Sequence, residues 1–189
     1  MKIKLILKKI FLSLGSIFLF YRSYELIINW EKIQSTTNAE ILIFSILANL
    51  FILGSFALVG FAWPTYTLLP EKYYKIRDPR QLLKFGKKIG VPLFQKFLLL
   101  TFWRDQNQRK RYFDGTKSGI RNWIKESKSS EFGHLIPFII LLGLSIWSLL
   151  LGFWKIALVN FVLNSVANFY PIVLQRMHRA RINKIIARI

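Results

Sequence analysis

The sequence predicts an all-α polytopic membrane protein with three to four transmembrane helices and a basic cytoplasmic loop. The first observation is that 53% of the residues are apolar although the formal net charge is +19. The second is that the two classes are segregated, because the apolar residues form long uncharged runs and the cations lie between them. Uncharged runs of about 20 residues have the length of a helix that spans the hydrocarbon core of a bilayer.

The first apolar segment follows four lysines within residues 1–9 and resembles the hydrophobic region of a secretory signal peptide. No small-residue cleavage site follows Tyr21, so the sequence favours an uncleaved anchor over residues 5–22. Lys8 and Lys9 make it the weakest span. The alternative is a helix that lies in the membrane interface.

Three stronger spans are predicted at residues 41–63, 135–154 and 156–175. The last two leave almost no connection, so the turn between them must lie at the surface with Lys155 reaching water. Between the second and third spans lies a polar loop, residues 64–133. Within it, the mixed segment 82–103 is predicted to be amphipathic or shallowly re-entrant, which would hold the loop against the lipid headgroups.

The whole chain, residues 1–189, is predicted to be a single membrane domain that ends in a basic tail, residues 176–189. Cations concentrate on the cytoplasmic side of bacterial membrane proteins. With both termini and the loop cytoplasmic, all but three of the 28 Lys and Arg residues lie inside. The three outside are Arg22, Lys32 and Lys155. We therefore expect a multi-pass protein of the bacterial cytoplasmic membrane.

Several function classes find no support in the sequence. Cysteine is absent, which excludes disulfides, thiolate nucleophiles and Cys-ligated metals. There is no glycine-rich phosphate loop, no nucleophile elbow and no convincing His-x4-Asp acyltransferase box. The basic excess is typical of loops that face anionic lipid, and no nucleic-acid module is visible. We expect no metal, no resident cofactor and no nucleic-acid partner; the oligomeric state is left open.

A polar stripe marks the last span. Asn160, Asn164 and Asn168 recur at four-residue spacing, so they fall within about 80° of arc on a helix, and Gln175 falls inside the same arc. Asn160 is expected to serve helix packing. Asn168 is the better functional candidate, because it lies near the arginine end of the helix. Pro171 should kink the helix beside it, and Asn168 could use such a break to line a polar cavity.

Glu131 and His134 lie three residues apart where the third span begins, so they share a helix face. A carboxylate there could orient the imidazole as a general base for a hydroxyl. The alternative is an interfacial Glu and His at a helix end. A metal site would need more ligands, and the only other histidine is His178.

Cations of the tail form a candidate anion clamp, since arginine suits phosphate geometry. They are Arg176, Arg179 and Arg181, and they follow Gln175. A tail that only contacts lipid phosphate is the alternative. The cationic run at residues 104–111 could join the tail in binding a donor such as a coenzyme A thioester.

Glu131-x-x-His134 at the start of an apolar span, with Asn168 before Gln175-Arg176-x-x-Arg179-x-Arg181, resembles the glycosyl-4,4'-diaponeurosporenoate acyltransferase family of small bacterial membrane proteins. The resemblance covers about residues 70–189. It implies an O-acyltransferase that moves a fatty acyl group from an acyl thioester, such as acyl-CoA, to a glycosylated carotenoid or similar membrane lipid. The matching positions are Glu131, His134, Asn168, Gln175, Arg176, Arg179 and Arg181.

On this hypothesis His134 is the base and Glu131 orients it. Asn168 positions the acceptor or stabilises the oxyanion. Gln175 and the tail arginines bind substrate, the arginines through the donor phosphates. Met177, His178 and Ala180 depart from the pattern of the carotenoid enzymes, which leaves the acceptor open. The alternative function is a non-enzymatic membrane scaffold or anionic-lipid-binding protein.

Overall fold

A computed structural model describes residues 2–35, 37–104 and 116–186. Eight α-helices and no strand occur in these ranges, which confirms the predicted all-α class. The helices are α1 (Lys2–Ile28), α2 (Asn38–Ala62), α3 (Glu71–Tyr74), α4 (Pro79–Lys88), α5 (Val91–Leu100), α6 (Lys117–Leu150), α7 (Trp154–Asn164) and α8 (Tyr170–Ile186). Two 3₁₀ segments, Trp30–Ser35 and Thr65–Thr67, and a π-helical turn, Ser165–Phe169, connect some of them.

Three helical segments among the described residues are long and apolar enough to cross a membrane: Asn38–Ala62, Gly119–Leu150 and Trp154–Asn183. They overlap the three strong predicted spans, and the third continues past residue 175 into the predicted tail. The helix that carries the second of them begins at Lys117, well before the predicted start at residue 135. The polar residues ahead of the span are helical as well, so they continue the same helix.

Contacts divide the chain into two compact units. The first unit comprises Met1–Thr65 and Gly133–Phe169, and the second comprises Tyr66–Phe132 and Tyr170–Ile189. Each unit is described separately below.

In the first unit, α1 runs antiparallel to α2. Lys9 Nζ lies 4.7 Å from the centre of the Trp63 ring, at the end of α2. Further along, Ser16 Oγ donates to the Ser55 carbonyl at 3.0 Å. Residues later in α1 therefore contact residues earlier in α2. The two helices are antiparallel and form a long hairpin.

Asn160 joins three helices of the first unit and is fully buried. Its Nδ2 donates to the Leu141 carbonyl and to Ser145 Oγ on α6, both at 2.9 Å. Its Oδ1 accepts from Asn49 Nδ2 on α2 at 2.9 Å. Asn160 therefore has the packing role that its place in the stripe predicts.

In the second unit, the predicted amphipathic segment forms two short helices, α4 and α5. Asp78 caps α4 through bonds from the Arg80 and Gln81 amides, both 2.9 Å long. Gly90 turns the chain between the helices with φ of 83°, a conformation that favours glycine.

The two short helices pack against α8 within this unit. A Cβ on Gly86 would lie 2.1 Å from Met177 Sδ, so any larger residue there would displace the Met177 side chain of α8. Tyr170 Oη donates to the Ile89 carbonyl at 2.7 Å.

Candidate functional site

The candidate site of the first unit is built on His134 and Asn168. His134 Nδ1 lies 3.3 Å from Asn168 Oδ1. Asn168 is fully buried and belongs to the π-helical turn, whereas the His134 side chain is partly exposed. Single π turns are frequent at functional sites, where the extra residue redirects side chains that an α-helix would hold elsewhere.

A chain of amide hydrogen bonds determines which ring nitrogen of His134 carries the proton. Asn164 Nδ2 donates to the Phe138 carbonyl at 3.0 Å, which leaves Asn164 Oδ1 to accept from Asn168 Nδ2 at 2.9 Å. Asn168 therefore presents its oxygen to His134 Nδ1. An oxygen can only accept, so Nδ1 carries the proton and the lone pair of a neutral ring is on Nε2. This is the tautomer that a general base acting through Nε2 requires.

The helix break predicted beside Asn168 takes the form of this π turn. Pro171 lacks the N–H that would donate to the Ala167 carbonyl in an α-helix. The proline thus leaves the Ala167 carbonyl without its α-helical donor within the last span.

Glu131 belongs to the second unit and is fully buried. Its Oε1 accepts from Arg176 Nε at 2.7 Å, and its Oε2 accepts from Arg179 Nη2. We predicted that Glu131 orients the His134 imidazole; instead its oxygens pair with arginines, and the side-chain partner of His134 is Asn168. A buried carboxylate requires cationic partners, and helix spacing alone could not show that the tail supplies them.

Other polar residues of the tail also bond within the second unit. Arg179 Nη1 donates to Ser127 Oγ at 2.9 Å, and Gln175 Nε2 donates to Ser130 Oγ at 3.2 Å. The predicted phosphate contacts of Arg176 and Arg179 therefore compete with hydrogen bonds inside the protein. Arg181 differs, because its side chain is exposed and forms no ion pair or hydrogen bond with a described residue.

Two tyrosines that we did not predict surround this arginine pair. The guanidinium of Arg176 lies 4.8 Å from the centre of the Tyr73 ring, and that of Arg179 lies 5.5 Å from the centre of the Tyr74 ring. Burial, together with the negative charge of Glu131, raises the pKa of Tyr74 to about 12. Tyr74 is therefore a neutral phenol at physiological pH.

The second unit also contains a cavity of about 750 Å³ that we did not predict. Five of its lining residues are cations, three from α3 and the segment after it, one from α6 and one from α8. They are Lys72, Lys75, Arg77, Lys128 and Arg179, and Tyr74 lies beside them. The only sequence signal was a short run of Lys, Tyr and Arg after Pro70, which is common in loops that face lipid. Arg109, Lys110 and Arg111 of the predicted cationic run lie outside the described residues.

Within the described ranges, no three His, Asp or Glu side chains come together as metal ligands would. Residues 70–188 match the model of the family described as glycosyl-4,4'-diaponeurosporenoate acyltransferase. This match covers more than half of the chain and includes all seven predicted site residues. No curated protein and no solved structure matches the chain.

Proposed function

The chain belongs to the glycosyl-4,4'-diaponeurosporenoate acyltransferase family, and on this basis we propose that it moves a fatty acyl group from an acyl thioester to a lipid hydroxyl. The first candidate acceptor is the sugar of a glycosylated carotenoid, which is the acceptor that the family description names. Other glycolipids of the bacterial cytoplasmic membrane are further candidates. The observation that carries the proposal is the His134–Asn168 hydrogen bond, which prepares an imidazole for base catalysis.

In the proposed reaction, His134 Nε2 removes the proton of the acceptor hydroxyl as its oxygen attacks the thioester carbonyl. The tetrahedral intermediate collapses, the C–S bond breaks, and the imidazolium returns the proton to the leaving thiolate. The products are an ester and a free thiol. A positioned general base typically contributes about 10²- to 10⁴-fold to such a rate.

We assign Asn168 the role of holding the imidazole and stabilising its positive charge. Both ends of its amide are engaged, with His134 at the oxygen and Asn164 at the nitrogen. That arrangement favours a positioning role over the predicted oxyanion or acceptor contact. Glu131, Arg176 and Arg179 would form a buried support in the second unit, and Arg181 is the tail arginine best placed to meet substrate.

The proposal is tested with purified protein, acyl-CoA carrying a labelled acyl chain, and a lipid extract that contains glycosylated carotenoid. We expect release of coenzyme A in equal amount to a new labelled ester. An extract without a glycolipid is the control. If the thiol is never released with any extract from a carotenoid-producing bacterium, the proposed reaction is refuted.

The alternative is a protein that binds anionic lipid without chemistry, and the cationic cavity of the second unit favours it. The same assay separates the two functions. A binder would retain labelled lipid or acyl-CoA without forming an ester, whereas an acyltransferase would form ester over many turnovers.

A further inference from the structure

The cavity of the second unit has an excess of positive charge. Five cations line it, and Glu71 is the one carboxylate in the lining. Lys128 Nζ donates to both Glu71 oxygens at 2.6 Å, so this pair is internally neutral. Arg179 pairs with Glu131, whose single negative charge it shares with Arg176. The remaining three lining cations have no carboxylate partner among the described residues and carry most of the excess.

These three residues, Lys72, Lys75 and Arg77, are called the free cation set below. All three side chains are exposed, and none pairs with a carboxylate among the described residues. Three like charges around one cavity repel each other. Their mutual repulsion is relieved when an anion enters, and a cavity with protein walls concentrates that attraction.

Arg179 adds a buried guanidinium with an unused donor to the wall of the cavity. The residue is 3% exposed and lines the cavity, yet its Nε–H has no hydrogen-bond partner among the described residues. A buried guanidinium donor without a partner is costly, and an anionic oxygen is the partner it suits best. The phenol of Tyr74 is also in the lining, and its O–H donates to the Lys128 carbonyl at 3.5 Å.

We propose that this cavity binds a phosphate-bearing ligand through Lys72, Lys75 and Arg77, with the guanidinium of Arg179 in its wall. Phosphate esters provide the charge and the several acceptor oxygens that such a group of donors requires. The volume of about 750 Å³ admits a ligand larger than inorganic phosphate. Two ligands share this chemistry, namely the coenzyme A portion of an acyl donor and the headgroup of an anionic phospholipid.

The assignment of coenzyme A as the ligand rests on the proposed function, in which the cavity is the binding site of the acyl donor. It would place donor recognition on the free cation set rather than on the predicted arginines of the tail. Binding of the phospholipid headgroup needs no catalysis. The test therefore measures binding and turnover separately.

Two triple variants that lose the same charge are compared with the native sequence. The cavity variant combines Lys72→Ala, Lys75→Ala and Arg77→Ala. The control variant combines Lys84→Ala, Lys87→Ala and Lys88→Ala, which removes three exposed lysines of α4 in the same unit that do not line the cavity. Binding of coenzyme A is measured by calorimetry in neutral detergent, and binding of phosphatidylglycerol is measured with nanodiscs of stated composition.

We expect the cavity variant to bind coenzyme A at least tenfold more weakly, while the control variant stays within about twofold of the native protein. Loss of only the phosphatidylglycerol interaction would support the cavity with a lipid as its ligand. Equal losses in both triple variants, or none in either, would overturn the proposal, because the effect would then depend on net charge or be absent.

Turnover separates this inference from the proposed function. If the native protein transfers acyl groups and the cavity variant keeps the native KM for acyl-CoA, the donor-site assignment fails and the proposed reaction stands. If the cavity variant loses coenzyme A binding while the native protein forms no ester, the cavity stands and the proposed reaction fails.

Discussion

At the scale of single residues, Glu131 shows how strongly burial determines a role. It is fully buried and accepts from two arginines, whereas Glu71 of the same unit is 81% exposed in its pair with Lys128. Both are glutamates in ion pairs, but water stabilises only Glu71 when its partner is lost. Their energetic importance should therefore differ greatly.

Replacing Glu131 with glutamine should destabilise the protein by about 3–5 kcal/mol, because Arg179 would keep a buried charge without a counter-ion. The measurement is thermal unfolding in detergent. Glu71→Gln is the matched control and should shift the midpoint far less, since exposed pairs contribute little. Equal shifts in the two variants would show that the arginine pair is not buried as described.

Asn168 is a positioning residue whose effect should appear in turnover. In Asn168→Leu, the imidazole loses the acceptor that selects its tautomer, and we expect kcat to fall about 10- to 100-fold with KM for acyl-CoA nearly unchanged. Steady-state acyl transfer with varied acyl-CoA gives both constants. Ser165→Ala changes the same π turn, but Ser165 Oγ bonds only locally to the Phe161 carbonyl, so this variant should keep native kcat. A native kcat in Asn168→Leu would exclude the assigned role.

At the scale of helices, the sequence predicted the properties that are local. The spans follow from uncharged runs, and the break beside Asn168 follows from the missing N–H of Pro171. The hydrogen-bond partners of the polar side chains were harder to predict from the sequence. Glu131 and His134 share a face on any helix, but the choice between an imidazole and an arginine depends on which helix packs opposite. That choice is set by tertiary contacts that the sequence spacing does not encode.

The α1–α2 hairpin favours the anchor interpretation of the first apolar segment, although α1 is not among the three helical segments that are long and apolar enough to span. An interfacial helix would lie across the spans, whereas α1 runs antiparallel to α2 from Lys9, beside Trp63, toward the 3₁₀ segment that precedes α2. Trp and Lys side chains are typical anchors at the membrane surface, so Lys9 can lie at the interface and not within the lipid. We therefore expect α1 to cross the membrane.

Single cysteines test this topology cleanly, because the chain has no native cysteine. Lys4→Cys and Lys32→Cys both replace exposed lysines, one near each end of α1. A membrane-impermeant maleimide should label Cys at position 32 in intact cells and Cys at position 4 only after permeabilisation. Labelling of both positions from the same side would mean that α1 lies on the membrane.

At the scale of the whole molecule, composition predicted an anion-rich environment but not where an anion binds. Cations are numerous in both the loop and the tail, and the net charge is +19. We therefore predicted anion binding at the two densest cationic runs, residues 104–111 and the tail. The cavity instead collects Lys72, Lys75 and Arg77 with residues more than 50 positions later in the chain. Cations that are distant in the sequence and meet in one cavity leave no periodic pattern in the sequence. Only the folded structure shows that they lie together.

The family match begins at residue 70, so it covers the cavity residues, His134 and the tail, while α1 and α2 precede it. The acyltransferase chemistry is therefore expected to depend on residues 70–188. Within that segment, the proposed reaction depends most directly on one side chain, the imidazole of His134.

The most direct test of this claim is the acyl-transfer kcat of His134→Gln compared with that of His178→Gln. Glutamine preserves polarity but cannot take up a proton, and His178 is the other histidine of the chain, with its ring packed against Trp123 at 5.3 Å. The account predicts that His134→Gln lowers kcat at least about 100-fold while His178→Gln keeps activity near the native level. A His134→Gln protein that forms ester at the native rate would contradict it.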